Sequence, residues 1–236
     1  MIPRVAAITR LGLVPVPHTN LATYAVDAAG RRWVAKREAD MGCEALLAEA
    51  LTWLLARQMG APVPDAAFCD HPDERAWLSA WVPQAKHWSP ETAGVVRNAR
   101  DAAAIFALDA VVFNEARHGG NVLLVPDDDG GSVVWAIDAD EAWIGHPAEL
   151  ALRAGLPPEP RILARGFPPP GWRDAAMEAA ERCAALDPAG LAHAARAACA
   201  LAREPDVELV VRVLVDRCQD ALSLTRRYLE RVESRP

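Results

Sequence analysis

The chain has 236 residues, an apolar fraction of 52% and a net charge of −7. That is the composition of a folded protein with room for one large domain or two small lobes, and it excludes a disordered tail, a collagen-like chain and a coiled coil. A mildly acidic chain without a long Lys/Arg run is a poor binder of nucleic acid or of an acidic membrane. Five scattered cysteines (Cys43, Cys69, Cys183, Cys199 and Cys218) include no C-x-x-C pair. They argue against a disulfide framework or a zinc site and point to a reducing cytoplasm. The first twenty residues do not read as a signal peptide, and no apolar run is long enough to predict a membrane span.

In chain order, LATYAVD (21–27) and WVAKRE (33–38) flank the turn AGRR and predict an antiparallel hairpin. EALLAEALTWLLARQM (44–59) carries an apolar stripe at helical spacing, with Gly60 as its stop. APVPDAAFC (61–69) and AWLSAWVP (76–83) read as two further strands around the polar turn DHPDE. Residues 1–83 thus suggest a small α+β lobe. A polar connection over 84–99 leads to a helix at 101–113, the polar loop NEARHGG (114–120), and a hairpin of NVLLV (121–125) and SVVWAID (132–138). From about 147 the chain is Ala/Leu/Arg-rich and helical, broken by GLPPEP and GFPPPGW. The expected division is a lobe of strands plus one helix over 1–85 and a mainly helical lobe over 86–236.

Of 25 basic residues only two are lysines, Lys36 and Lys86, so a retained lysine marks a place where a compact ammonium is wanted. Lys36 ends the apolar strand WVAK, and Glu49 lies thirteen residues on, at the edge of the helical stripe. The two can meet across a lobe interior, fixing the lysine to grip phosphate oxygens; the plainer alternative is a surface lysine and a solvated glutamate. Asn121 opens the second hairpin and Asp138 closes it. With Asp129-Gly130 as a two-residue turn, these two residues face each other and form a hard-oxygen site suited to Mg²⁺; an ordinary hairpin with polar ends is the alternative. Asp140 reads as an extra ligand or a loop-capping residue, the latter being favoured. His118, between the helix end and this pair, is expected to shape its loop. The motifs of P-loop, dinucleotide-binding, zinc-protease and serine-hydrolase proteins are absent from the sequence.

The order of these pieces resembles the HipA-like kinases, and more distantly the phosphatidylinositol and protein kinases. The pieces are WVAK, then AEALTWLLARQMGAPVP, LSAWVP, DAVVFNEARHGGN and AIDAD. The resemblance covers roughly residues 10–145, and its central motif is similar to the family's N-x-D-R-H-x-x-N loop. It implies a two-lobed protein kinase-like α+β fold, with a small β-rich N-lobe and a mainly helical C-lobe, that binds ATP and Mg²⁺ and transfers a γ-phosphoryl group to a hydroxyl acceptor. Carried onto this chain, Lys36 contacts the nucleotide phosphates and Glu49 holds it. Ser79, Ala80, Trp81 and Val82 form the hinge that meets adenine, and Asn121 and Asp138 hold Mg²⁺. His18, Thr19 and Asn20 occupy the place of the phosphate-covering loop without its glycines. Arg117 and His118 belong to the catalytic-type loop. The family's catalytic aspartate falls on Ala116, which can neither accept nor orient a hydroxyl proton. With the neighbouring motif residues retained, this points to an inactivating substitution or a recent pseudokinase. The competing expectations are a nucleotide-binding pseudokinase acting through a protein partner and, further off, a helical interaction protein.

Overall fold

A computed structural model describes residues 1–13, 22–71, 74–89, 96–161 and 171–234. The strands and helices follow in chain order as β1 (Arg4–Val5), β2 (Ile8–Leu13), β3 (Ala22–Asp27), β4 (Arg32–Arg37), α1 (Glu38–Met59), β5 (Ala66–His71), β6 (Glu74–Ala80) and β7 (Lys86–His87). Then come α2 (Ala99–Val112), a 3-10 turn (Gly119–Asn121), β8 (Val122–Pro126), β9 (Ser132–Ala136) and a second 3-10 turn (Trp143–Gly145). The chain ends in α3 (Pro147–Ala151), α4 (Trp172–Ala184), α5 (Pro188–Ala202), α6 (Val207–Gln219) and α7 (Ala221–Glu233). The first six strands make one sheet in the order β1-β5-β6-β4-β3-β2, antiparallel except where β1 runs beside β5. β7, β8 and β9 form a second, smaller sheet.

Strand alternation sorts the first sheet into two faces. Ala66, Phe68 and Trp77 turn toward α1 and join the main core. Ala67, Cys69, Ala76 and Leu78 turn the other way and cluster with Ala25, Trp33 and Ala35. β5 begins at Ala66 rather than at 61, because Pro62 and Pro64 have no N–H to give a ladder. The stretch still serves packing: the Pro62 carbonyl accepts a hydrogen bond from Ala136 N (2.7 Å), tying the first sheet to β9. β6 ends at Ala80 instead of 83.

α1 carries one non-helical residue, Gly42, so its regular part starts close to the expected 44. It packs on the sheet on one side and reaches the C-terminal helices on the other. Gly145 lets the segment after β9 press against it: a Cβ there would stand 2.3 Å from Glu44 O and 2.9 Å from Ala48 Cβ. α2 is buried on every side from Ala102 to Val112. α2 packs against α4, and the Phe106 ring meets that of Trp172 at a tilt (centroids 4.8 Å). One continuous core therefore runs from the α1 face of the sheet through α2 to α7. The architecture is a mixed α+β, two-lobed one, with a β-rich N-terminal region and a helical C-terminal region. Among the described residues no helix is long and apolar enough to cross a membrane.

Candidate functional site

The site grows from the sheet register. Lys36 is opposite Ala22 and Trp77, and Val34 is opposite Tyr24 and Ser79. Two residues apart on one strand, Lys36 and Val34 share a face, so the row Tyr24–Val34–Ser79 lines the same side as Lys36. Lys36 is buried and its ammonium is held 2.5 Å from Glu49 Oε1 on α1. It also pairs with Asp138 Oδ1, and lies 3.3 Å from Asp140 Oδ2. Glu49 Oε1 further accepts from Ala139 N (3.2 Å), which fastens α1 to the segment after β9.

One cation among three carboxylates shapes their protonation. Burial alone would lower the Lys36 pKa, but Glu49, Asp138 and Asp140 outweigh it and raise it above the ordinary lysine value. Burial would likewise lift Asp138, yet Lys36 holds that carboxyl down to about 2. Asp140 goes the other way: burial, with Asp138 and Glu49 beside it, pushes it up to about 7 against the pull of Lys36. Asp140, read from the sequence as an extra ligand or a loop cap, is a member of the charged cluster.

The loop 114–121 is braced from within. Asp109, in the apolar run of α2, meets Arg117 in a fully buried two-pronged ion pair, Nη2–Oδ1 2.8 Å and Nε–Oδ2 3.0 Å. Arg117 Nη1 also donates to Asn121 O and Ile137 O, both at 2.8 Å. It therefore clamps α2, the loop and the end of β9 together, a backbone strut rather than a group directed at a substrate. His118 caps the 3-10 turn, its Nδ1 accepting from Gly120 N (3.0 Å). Half-buried Ala116 is held by its backbone: its N donates to Asn114 Oδ1 (2.9 Å), and its carbonyl accepts from Asn121 Nδ2 (3.2 Å). Glu115 faces elsewhere, accepting from Glu159 N (3.2 Å) and lying 3.4 Å from Arg161.

The hairpin register differs from the sequence expectation by one residue. Val122 pairs with Ala136 and Pro126 with Ser132, so Asn121 O meets Ile137 N (3.1 Å), and Asp138 lies one step further on. The cause is the turn. Asp127 Oδ1 accepts from Asp129 N and Gly131 N, and its carbonyl accepts from Gly130 N. With Gly130 at φ 76°, this makes a three-residue turn with a bulge instead of a two-residue Asp-Gly turn. Asp138 itself adopts φ 64°, which costs on the order of 1 kcal/mol outside glycine and lets its carboxylate reach Lys36.

Two observations fit this site to a hard divalent cation. One oxygen from each of Glu49, Asp138 and Asp140 lies within 4.8 Å of the others. Asn121 is 4% exposed, and its Oδ1 has no hydrogen-bond partner among the described residues. Of the hinge residues, Ser79 is inside β6, the Ala80 amide donates to Asp65 O (2.7 Å) and the Trp81 amide to Arg32 O (3.0 Å). The Val82 amide has no partner among the described residues. Trp81 is exposed and meets Tyr24 edge-on (4.8 Å). His18, Thr19 and Asn20 lie outside the described residues. Sequence reasoning missed Asp109 and undervalued Asp140. A lone aspartate inside the run AAAIFALDAVV was the available signal, since a buried carboxylate demands a partner.

No protein-family model matches the chain, and no curated protein does. Solved structures do. The Helicobacter pylori proinflammatory kinase CtkA aligns over 99% of this chain and 100% of its own, with a TM-score of 0.62 at 9% identity. The Rio2 kinase of Chaetomium thermophilum, in a complex with ADP, Mg²⁺ and phosphoaspartate, aligns over 98% of this chain and 73% of its own (TM-score 0.43, 15% identity). HipA of Shewanella oneidensis, in a complex with HipB and operator DNA, aligns over 98% and 66% (TM-score 0.42, 12% identity). The likeness to CtkA shows the fold: the chain has the two-lobed architecture of protein kinase-like proteins.

Proposed function

We propose that the chain binds ATP with Mg²⁺ in the cleft between an N-lobe ending near residue 85 and the C-lobe. Its chemistry is phosphotransfer of the HipA-like kinase type, to a hydroxyl acceptor, impaired here by Ala116. The observation that supports this best is the Lys36–Glu49 ion pair beside Asp138 and Asn121, a buried cation and a metal-fitting oxygen set at one end of the sheet face. In this reading Lys36, oriented by Glu49, meets phosphate oxygens. Tyr24, Val34 and Ser79 face the base, and the Val82 amide, without a partner among the described residues, would bond it. Asn121 and Asp138 would hold Mg²⁺, which supplies charge neutralisation on the phosphates. The five free cysteines suit a reducing cytoplasm.

Ala116 favours a second reading, a nucleotide-binding pseudokinase that acts through a protein partner. Restoring the carboxylate separates the two. The backbone bonds at 116 do not involve the side chain, so Ala116→Asp disturbs none of them. Labelled-ATP transfer, on itself and on a panel of hydroxyl acceptors, should rise roughly 10²–10⁴-fold over the chain as it stands, the scale of a positioned general base. A folded, ATP-binding Ala116→Asp chain that stays inert leaves the pseudokinase reading.

A further inference from the structure

The charge balance of the cleft is uneven. One ammonium serves three carboxylates: Glu49, Asp138 and Asp140. All three also belong to the oxygen cluster that fits a divalent cation. An ammonium and a metal ion cannot both take the same carboxylate oxygens at full strength, because each is drawn there by the same negative charge. In this structure Lys36 is the cation of that cluster. Phosphate oxygens entering beside it would give the ammonium a new partner and release Asp138 and Asp140. Glu49 would keep its hold on Lys36, being placed on α1 and tied as well to Ala139 N.

Resting on the reading of the cleft as a nucleotide site, we infer that Asp140 is a further metal-positioning carboxylate and that Lys36 holds the metal seat until nucleotide arrives, so that a divalent cation binds only together with nucleotide. The buried Oδ1 of Asn121, at the neighbouring end of the hairpin and without a partner among the described residues, supports a site that gains a ligand on loading.

Mn²⁺ is the probe, read by its electron paramagnetic resonance signal on the full chain. The native chain should bind Mn²⁺ weakly alone and roughly 10- to 100-fold more tightly with ADP, the scale of one or two charge-assisted contacts. Lys36→Met should bind Mn²⁺ without ADP, and Lys36→Met/Asp140→Asn should lose that binding again. Should Lys36→Met be unfolded without metal, its refolding on adding Mn²⁺ reads the same event. A Lys36→Met chain that stays unfolded passes the decision to Asp140→Asn. That variant should weaken Mn²⁺ binding in the presence of ADP about tenfold, while ADP binding in EDTA does not weaken. Native Mn²⁺ binding that is equally tight with and without ADP overturns the inference, as does an Asp140→Asn chain with native Mn²⁺ affinity. A native chain that binds no ADP under any condition instead removes the nucleotide reading itself.

Discussion

Two buried charge clusters face each other across the hairpin end, and they are built on opposite principles. Asp109 and Arg117 form a balanced pair: one carboxylate, one guanidinium, two parallel bonds, both side chains about 2% exposed or less. The remaining Arg117 donors go to backbone carbonyls. The Lys36 cluster has three carboxylates on one ammonium, an Asp138 side chain that is 22% exposed, and nearby an Asn121 oxygen with no partner among the described residues. The balanced pair is complete without any ligand. The unbalanced one carries excess negative charge that a cation would relieve. A buried charge cluster therefore reads as a strut when its charges close and as a binding site when they do not.

The largest expected effect comes from opening the balanced pair. Arg117→Met leaves Asp109 charged in the centre of the helical core, without a counter-charge and with only the Asn114 amide (3.1 Å) still donating to its side chain. It should cost about 3–5 kcal/mol of stability, measured by urea unfolding. A loss under 1 kcal/mol would mean that the clamp is not structural.

Gly145→Ala attacks the unbalanced cluster from outside. The added methyl meets the α1 backbone at Glu44, so α1 must shift and carry Glu49 with it. A loss of about 1–3 kcal/mol is expected, together with weaker ATP binding. Stability lost with ATP affinity intact would show that Glu49 does not depend on this contact.

Removing a metal-fitting carboxylate should act on ligand binding more than on folding. Asp138→Asn is expected to weaken Mg²⁺-dependent nucleotide binding by about 1–3 kcal/mol. Asp128→Asn, at the exposed hairpin tip, should change it by less than about 0.5 kcal/mol. Equal effects in calorimetry would remove Asp138 from the metal site.

The sharpest form of the contrast is one chemical change made twice. Asp109→Asn should destabilise the chain, because it strips Arg117 of its counter-charge. Asp140→Asn should stabilise the ligand-free chain above pH 7, by roughly 1–3 kcal/mol. The sign follows from its raised pKa. The folded chain holds a proton on Asp140 up to about pH 7, whereas the unfolded chain releases it near 4. Between those values folding binds a proton, so stability falls as pH rises through that window. Asp140→Asn should flatten the fall. Asp138, held down to about 2, contributes in the other direction, with stability present above about pH 4 and lost below it.

The pieces legible in the sequence were those whose signal is local. The scarcity of lysine singled out Lys36. The apolar stripe of 44–59 gave α1 and the position of Glu49, and alternation gave both hairpins. The register of the second hairpin was not legible, because Asp129-Gly130 is a valid two-residue turn on its own. The choice of a three-residue turn rests on Asp127 accepting from two amides, which spacing does not reveal. Asp109 was overlooked, and Asp140 undervalued, for a related reason. Their partners come from other elements: Arg117 from the loop after α2, and Lys36 from β4 about a hundred residues earlier. At the expected hinge, the pairing of the Ala80 and Trp81 amides, with none for Val82 among the described residues, also needed the structure.

The reading of the unbalanced cluster as a nucleotide and metal site is tested most directly by thermal unfolding of the native chain, titrated with ATP in Mg²⁺ and again in EDTA. A ligand that binds only the folded state raises the melting temperature, by about 5–10 °C at a hundredfold excess over its dissociation constant for a chain of this size. The expected result is a rise that grows with ATP, is largest with Mg²⁺ and shrinks in Asp138→Asn. A melting temperature that ignores millimolar ATP, with and without Mg²⁺, would contradict it.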